Sequence, residues 1–147
     1  LDRQHPRDLY DILKLLDVEG ITDAIRKAFI VYLICHPRPI AEILNPSQVD
    51  IRGIFTKEFS GMVREPVKCE VLEEARSRLL KNVVDGLTTD ERNFIISVKE
   101  GKPRWDLIGL PGIQQLPAVR WKLTNIRKMT PKKHKQALHR LKAFLQN

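Results

Sequence analysis

Apolar residues recur along this chain at intervals of three and four, the spacing that places them on one face of an α-helix. The clearest case lies near the start, where Leu9, Ile12, Leu13 and Leu16 form such a stripe shortly after Pro6. Proline suits the first position of a helix because no backbone N–H is needed there. The pattern therefore predicts a helix that begins at Pro6 and buries this stripe.

The same spacing predicts helices along the rest of the chain. Residues 22–35 are apolar on nearly every side, with only Asp23, Arg26 and Lys27 left for water, so we expect a central helix packed on several sides. Amphipathic patterns and capping signals predict further helices over residues 48–62, 67–85, 88–101, 117–129 and from 131 onwards, with a short helical turn at 40–44.

Strand signals are missing from the sequence. No stretch alternates apolar and polar residues between hairpin turns. Residues 102–116 have no sustained period, and we expect an ordered apolar connector there. The predicted fold class is all-α, a compact multi-helix domain of about seven to eight helices that spans residues 1–147.

Basic residues are concentrated at the C-terminal end. The net charge is +8, yet no Asp or Glu follows Asp106, whereas nine Lys and Arg residues lie beyond it. A surface of one sign attracts polyanions, so nucleic acid is the natural partner. The alternative is that this region packs against an acidic part of the protein or an acidic partner. The candidate nucleic-acid-binding residues are Arg120, Arg127, Lys128, Lys132, Lys133, Lys135, Arg140 and Lys142.

Cysteine and histidine spacing gives no sign of a metal site. Cys35 and Cys69 lie singly in apolar helical patterns, which favours buried thiols over a disulfide or metal ligands. His134 and His139 are five residues apart and fall on different helix faces, unlike a zinc-binding pair. The chain has no apolar run of membrane-spanning length and no signal-peptide pattern at its start, so we expect a cytoplasmic protein that does not bind membranes.

The first predicted helix also carries candidate chemistry. Asp8 and Asp11 are three residues apart and therefore neighbours on the helix surface, beside Arg7. Acids in a first turn interact well with the positive end of the helix dipole. One interpretation is a solvated turn in which Arg7 and Lys14 balance the two acids.

A catalytic interpretation comes from a resemblance. Residues 7–12 (RDLYDI) and 116–126 (LPAVRWKLTNI) resemble the AbiEii/AbiGii family of nucleotidyltransferase toxins, and the likeness runs over most of the chain. Family members are similar to the DNA polymerase beta-like transferases, with an N-terminal catalytic domain that carries a Gly-Ser motif and paired aspartates, then a lysine and an Arg-Asp motif near a helical C-terminal region. Only the Arg-Asp motif is matched here, at Arg7-Asp8, since the chain contains no Gly-Ser and no Asp-x-Asp.

The resemblance implies that residues 1–147 are the helical C-terminal domain of a nucleotidyltransferase-like protein. The chain would begin within the family's last catalytic motif, and the N-terminal nucleotidyltransferase domain would be absent. The complete protein would be the toxin of a toxin–antitoxin or abortive-infection system, transferring a nucleotidyl group from an NTP to an acceptor such as tRNA.

For the site, the resemblance implies Asp8 as the catalytic residue, with Arg7 and Asp11 as supports. Mg²⁺ and the NTP are expected in the parent protein, whereas this chain alone is expected to bind neither and to be inactive. Partners would be tRNA or another nucleic acid and an antitoxin. The alternative is a non-catalytic helical nucleic-acid-binding or adaptor module, for which exposed aromatics are few because Trp105 and Trp121 both fit a core.

Overall fold

A computed structural model describes residues 3–146. These residues form eight α-helices and no β-strand, so the predicted all-α fold class and helix number are confirmed. Two short 3₁₀ turns, Trp105–Leu107 and Ile113–Gln115, lie in the connector. The helices are α1 (Pro6–Val18), α2 (Asp23–Cys35), α3 (Ile40–Leu44), α4 (Arg52–Glu58), α5 (Cys69–Asp85), α6 (Thr89–Lys99), α7 (Pro117–Arg127) and α8 (Pro131–Leu145).

The described residues divide into two compact units. The first unit consists of residues 3–22 and 45–85, and the second of residues 23–44 and 86–146. The single domain over residues 1–147 stays a prediction. Within the described residues, no helix combines the length and the apolar character needed to cross a bilayer.

The first unit is built on α1 packed along α5. Leu9 and Leu13 of the predicted α1 stripe are buried, and they share a core with residues of α5 and of the segment around α4. Gly20, at φ +72°, ends α1 in the left-handed conformation that glycine adopts without strain. The remaining core residues are Ile51, Phe59, Cys69, Leu72 and Ala75.

The fourth helix is shorter than predicted. It covers Arg52–Glu58 rather than residues 48–62, and Met62, at the end of the predicted range, is 62% exposed. The Asp50 carboxylate accepts a hydrogen bond from the Arg52 N–H at 3.0 Å, which favours a helix start at this point. At the other end, the Ser60 N–H donates to the Phe55 carbonyl at 2.8 Å and closes the last turn.

In the second unit, α6 is the most buried helix. Every residue from Phe94 to Lys99 is buried, and α6 packs against α2, α7, α8 and the first 3₁₀ turn. The helix predicted over residues 22–35 packs against α3, α6 and α7, as expected, but the prediction that it is the central helix was wrong. Ala24, Ala28 and Tyr32 of α2 lie on an exposed face.

Arg26 of α2 is buried, although the sequence pattern assigned it to water. Its Nε donates to Glu91 Oε2 of α6 at 2.8 Å, and this ion pair offsets part of the cost of burying the guanidinium. The same Glu91 oxygen accepts from the Thr88 N–H at 2.9 Å, while the Thr88 hydroxyl accepts from the Glu91 N–H. The capping box predicted at Thr88 is thereby confirmed.

The connector over residues 102–116 is ordered around buried Ile108 and Ile113, as predicted. Trp105 packs against Phe94, with ring centroids 5.7 Å apart. Trp121 of α7, in contrast, is 53% exposed, so the expectation of a core position for it was wrong. On α7 the inward positions belong to Val119, Lys122, Leu123 and Ile126, and Ala118 faces solvent.

Candidate functional site

Asp8 lies in the first turn of α1 and accepts a two-pronged hydrogen bond from Arg3. Arg3 Nε is 3.0 Å from Asp8 Oδ2, and Arg3 Nη2 is 2.6 Å from Asp8 Oδ1. The Arg3 guanidinium holds the pKa of the Asp8 carboxyl below its usual range, so the group is ionised at neutral pH. A charged carboxylate is therefore presented at the start of α1, and both of its oxygens are engaged by one cation.

Arg7 does not contact the Asp8 carboxylate. Its Nη2 lies 3.1 Å from the Met62 sulfur, and its side chain is exposed. Asp11 is also exposed, and no ion pair within residues 3–146 includes it. The pattern-based expectation that the two acids gather beside Arg7 thus differs from the structure, in which Arg3 takes that place. The supporting roles of Arg7 and Asp11 stay predictions.

The segment that carries Arg3 is fixed by the buried side chain of Gln4. Gln4 Oε1 accepts from Arg76 Nη1 at 2.7 Å and from the Val49 N–H at 3.1 Å, and Gln4 Nε2 donates to the Ser47 carbonyl at 2.8 Å. Gln4 adopts φ +48°, a left-handed conformation that costs a non-glycine residue on the order of 1 kcal/mol. These long-range bonds hold the chain in that conformation and so set where Arg3 meets Asp8.

Arg76 of α5 is the partner that sequence reasoning left without a role. It lies among the apolar positions of the helix predicted over residues 67–85, and it is buried. Its Nη1 also donates to the Val49 carbonyl at 2.9 Å, whereas its Nε has no hydrogen-bond partner within the described residues. An arginine on an otherwise apolar stripe was the available signal, but the sequence does not identify the acceptor.

Lys14 pairs with Glu65, whereas the solvated-turn interpretation had it balance Asp8 and Asp11. Lys14 Nζ lies 3.4 Å from Glu65 Oε2 and 5.3 Å from the Tyr10 ring centroid. Tyr10 packs on Phe59 with ring centroids 5.7 Å apart. These contacts tie the residues that follow α4 to the outer face of α1, beside the turn that contains Asp8.

The described carboxylates do not form a preassembled metal site. No group of three or more His, Cys, Asp or Glu side chains within residues 3–146 is arranged to hold a metal ion. Mg²⁺ takes oxygen ligands in near-octahedral geometry, and Asp8, whose oxygens accept from Arg3, is a single carboxylate rather than a ligand set.

Both cysteines are free thiols. Cys69 is buried and Cys35 is half-buried, which agrees with the predicted buried thiols for the first and in part for the second. Burial raises the pKa of each thiol, so both are protonated at neutral pH.

The predicted nucleic-acid-binding residues all lie in the second unit, and we call them the basic surface. Seven of the eight are exposed. Lys142 is half-buried, and its Nζ is 2.8 Å from Glu100 Oε1. Residues 23–44 and 86–146 contain sixteen Lys and Arg against six Asp and Glu, a formal charge of +10. The exposed members are Arg120, Arg127, Lys128, Lys132, Lys133, Lys135 and Arg140.

Two further lysines of the second unit are buried, and the sequence analysis assigned neither to a site. Lys122 Nζ donates to the His36 carbonyl at 2.6 Å and to the Arg38 carbonyl, just after α2 ends. Burial lowers the pKa of Lys122 to about 8. Lys99 is 7% exposed, and burial lowers the pKa of its ammonium as well.

Comparison with known proteins gives one family. The model of the family described as "Nucleotidyl transferase AbiEii toxin, Type IV TA system" matches residues 1–125 of the 147-residue chain. The match includes the Arg7-Asp8 motif and almost all of the Leu116-Pro117 block. No curated protein and no solved structure gives a significant match to the chain.

Proposed function

This chain belongs to the family of AbiEii nucleotidyl transferase toxins, and from that premise we propose that it supplies the last catalytic carboxylate of such an enzyme together with a surface for its nucleic-acid acceptor. The observation that carries the proposal is the position of Asp8 in the matched segment, ionised and held by an arginine fork at the start of α1.

Asp8 is the proposed catalytic residue. Nucleotidyl transfer needs a nucleophilic hydroxyl held in line with the reacting phosphate, and a fixed carboxylate can orient that hydroxyl or a lysine beside it. Arg3 keeps Asp8 ionised and oriented, and Gln4 fixes the backbone that carries Arg3. Arg7 and Asp11, on the same exposed turn, are proposed to assist in charge balance around the reacting groups.

Mg²⁺ and the NTP are proposed to be held outside the described residues. The metal would neutralise phosphate charge as it shifts during transfer. Because the chain has no Asp-x-Asp and no suitable carboxylate group within residues 3–146, the metal ligands would come from another part of the protein. Residues 1–147 on their own are then expected to be inactive.

The proposed acceptor is tRNA, which the basic surface would bind through its phosphates. We propose that this takes place in the cytoplasm and that an antitoxin would oppose the toxin there. Clustered Lys and Arg bind a polyanion by releasing its counterions, and this requires no base recognition. The support is the +10 charge of the second unit and the exposure of seven of the eight predicted residues.

The test of catalysis is Asp8→Asn in the full-length protein, assayed as transfer of labelled nucleotide from NTPs to total tRNA. The change keeps the side-chain shape and removes the charge, so we expect activity to fall about 100-fold or more. The matched control is Asp17→Asn, which removes an exposed carboxylate of the same helix from its 3.5 Å pair with Arg78. Full activity of the Asp8 variant would contradict the proposal.

The second candidate function is a nucleic-acid-binding module without chemistry, which the charge of the second unit favours. It would be supported if the Asp8→Asn protein retained all of its activity while variants of the basic surface lost tRNA binding. In that case the family's reaction would take place without any carboxylate from this chain.

A further inference from the structure

The Lys99 side chain is buried, and its ammonium group has no carboxylate partner among the described residues. Lys99 is 7% exposed, and the one polar contact of its Nζ within the described residues is the Met129 sulfur at 3.4 Å. A thioether is a weak acceptor and carries no charge. A buried charge is costly unless an opposite charge accompanies it, so Lys99 lacks the counter-ion that such a position normally has.

Lys99 lines two neighbouring cavities in the second unit. One, of about 160 Å³, lies against α3 and α8, and the other, of about 190 Å³, extends to α7. The two share Pro39, Ile40, Lys99 and Ala137 in their walls, so Lys99 borders both of them. A cavity needs only about 10–15 Å³ to admit a water, and each is on the order of ten times larger.

Cations dominate the polar lining of both cavities. Lys133 and Arg140 of α8 line the first, and Lys122 lines the second, where two of its three N–H groups are used by backbone carbonyls. One described carboxylate, Glu42, lies in the wall of the first cavity, and its Oε2 is 3.8 Å from Arg38 Nη2. Four basic side chains therefore face these cavities against a single acidic one.

Trp121 gives the second cavity an aromatic wall. It is 53% exposed, and it lines the second cavity together with Lys122 and Asn125. A base can stack on an exposed indole, and such stacking contributes about 1–3 kcal/mol per base.

We propose that this pair of cavities, which we call the Lys99 cavity, binds one phosphate-bearing nucleotide of a single-stranded RNA segment. Lys99, Lys133 and Arg140 receive the phosphate, and Trp121 stacks on the base. The inference rests on the proposed function for the origin of the strand, namely the unpaired end of the acceptor. It adds a site separate from Asp8, which lies in the first unit.

The test measures binding to the 147-residue chain by calorimetry, with inorganic phosphate, uridine 5′-monophosphate and a single-stranded RNA trinucleotide as probes. We expect the trinucleotide to bind most tightly and inorganic phosphate most weakly, because stacking and a second phosphate add to the first contact. Trp121→Leu should weaken the two nucleotide probes about tenfold and leave inorganic phosphate unchanged.

The Lys99→Met variant distinguishes a loss of binding from a loss of folding. Methionine matches the length of the lysine stem and removes an uncompensated charge, so we expect a higher melting temperature together with at least a tenfold loss of affinity for all three probes. The matched control is Lys102→Met, which removes an exposed lysine just beyond α6. Lys133→Gln, at the exposed rim, provides a second loss of affinity that does not depend on the buried position.

Three results would overturn the inference. These are binding by Lys99→Met equal to that of the unmodified chain, no binding of any probe at millimolar concentration, or binding of the mononucleotide without the trinucleotide, which would make a free nucleotide the ligand. Asp8→Asn should leave binding of every probe unchanged. A failure of the Lys99 cavity is thus distinguishable from a failure of Asp8 in catalysis.

Discussion

At the scale of single residues, the buried lysines of the second unit show how burial and hydrogen bonding compete. Lys122 donates to the carbonyls of His36 and Arg38, in the segment that follows α2. Removal from water and the nearby Lys99 charge nevertheless lower the pKa of Lys122 to about 8. The folded protein therefore holds the Lys122 proton less tightly than the unfolded chain does.

This difference predicts a pH dependence of stability. Between pH 8 and 10.5 the unfolded chain binds more protons at Lys122 than the folded protein does, so the free energy of unfolding rises with pH across this window. The contribution is up to about 3 kcal/mol. Urea unfolding at pH 8 and pH 10 should show a smaller increase for Lys122→Met than for the unmodified chain.

Comparison with Lys102→Met removes effects that any lysine substitution has, because Lys102 is exposed. Groups that titrate in this range without interacting with Lys122 contribute equally and cancel in the difference, which therefore reports Lys122 together with its coupling to Lys99. An equal rise of stability with pH in the Lys122 and Lys102 variants would show that Lys122 keeps an ordinary pKa.

At the scale of helices, one glutamate links two elements. Glu91 Oε2 accepts from Arg26 Nε of α2 and from the Thr88 N–H at the start of α6, both within 3 Å. The side chains of Glu91 and Arg26 are 4% and 11% exposed. The pair thus fixes the start of α6 against α2 in a region where an unpaired charge is costly.

Glu91→Gln should therefore destabilise the second unit. A glutamine oxygen can still accept from the Thr88 N–H, so the change chiefly leaves the Arg26 charge without its buried partner. We expect a loss of about 3 kcal/mol in the free energy of unfolding, measured by urea denaturation. Asp23→Asn is the control, because Asp23 bonds the same arginine at 2.8 Å but is 86% exposed, and it should cost less than about 1 kcal/mol. Equal costs would mean that burial of Glu91 is not what makes its charge important.

The helices themselves were largely predictable from the sequence, and the residues that link them were not. Spacings of three and four, Pro6, Pro117 and Pro131 at helix starts, and the Thr88–Glu91 capping box are local signals, and the structure confirms the helices they predict. The periodicity argument assigned Arg26 to water because of its charge. It therefore misplaced Arg26, whose buried position depends on a partner 65 residues away.

For the candidate site, too, the sequence indicated the local motif but not the long-range contacts. The Arg7-Asp8 motif is local and could be read directly. The Arg3 fork and the Gln4–Arg76 bonds depend on the backbone before α1, on a left-handed residue and on α5, and no spacing rule encodes these. Trp121 and Lys122 are neighbours on α7, the first exposed and the second buried. Which of the two is buried depends on packing, and the sequence pattern does not decide it.

At the scale of the whole molecule, charge is divided unequally between the two units. Residues 3–22 and 45–85 carry ten basic and eleven acidic side chains, a formal charge of −1, against +10 for the second unit. Attraction to a polyanion is therefore expected to come from the second unit alone. If an acidic antitoxin and tRNA both use the basic surface, they would compete for the same residues.

The salt dependence of tRNA binding tests the role of the basic surface. Each phosphate that a lysine neutralises releases a counterion, so the logarithm of the binding constant falls by roughly 0.7 to 0.9 per contact for each unit of log salt. Changing Lys128, Lys132 and Lys135 together to Gln should flatten that slope by about 2 to 3 and weaken binding at low salt. These three lysines are exposed, and none of them lines the Lys99 cavity, so the effect belongs to the surface rather than to the cavity.

The matched control changes the exposed Lys57, Lys68 and Lys81 of the first unit to Gln, which alters the net charge equally and should leave the slope unchanged. If both triple variants lose the same amount, binding follows net charge and the second unit has no dedicated surface. If neither loses any, the basic surface serves an acidic protein partner, and tRNA is held elsewhere.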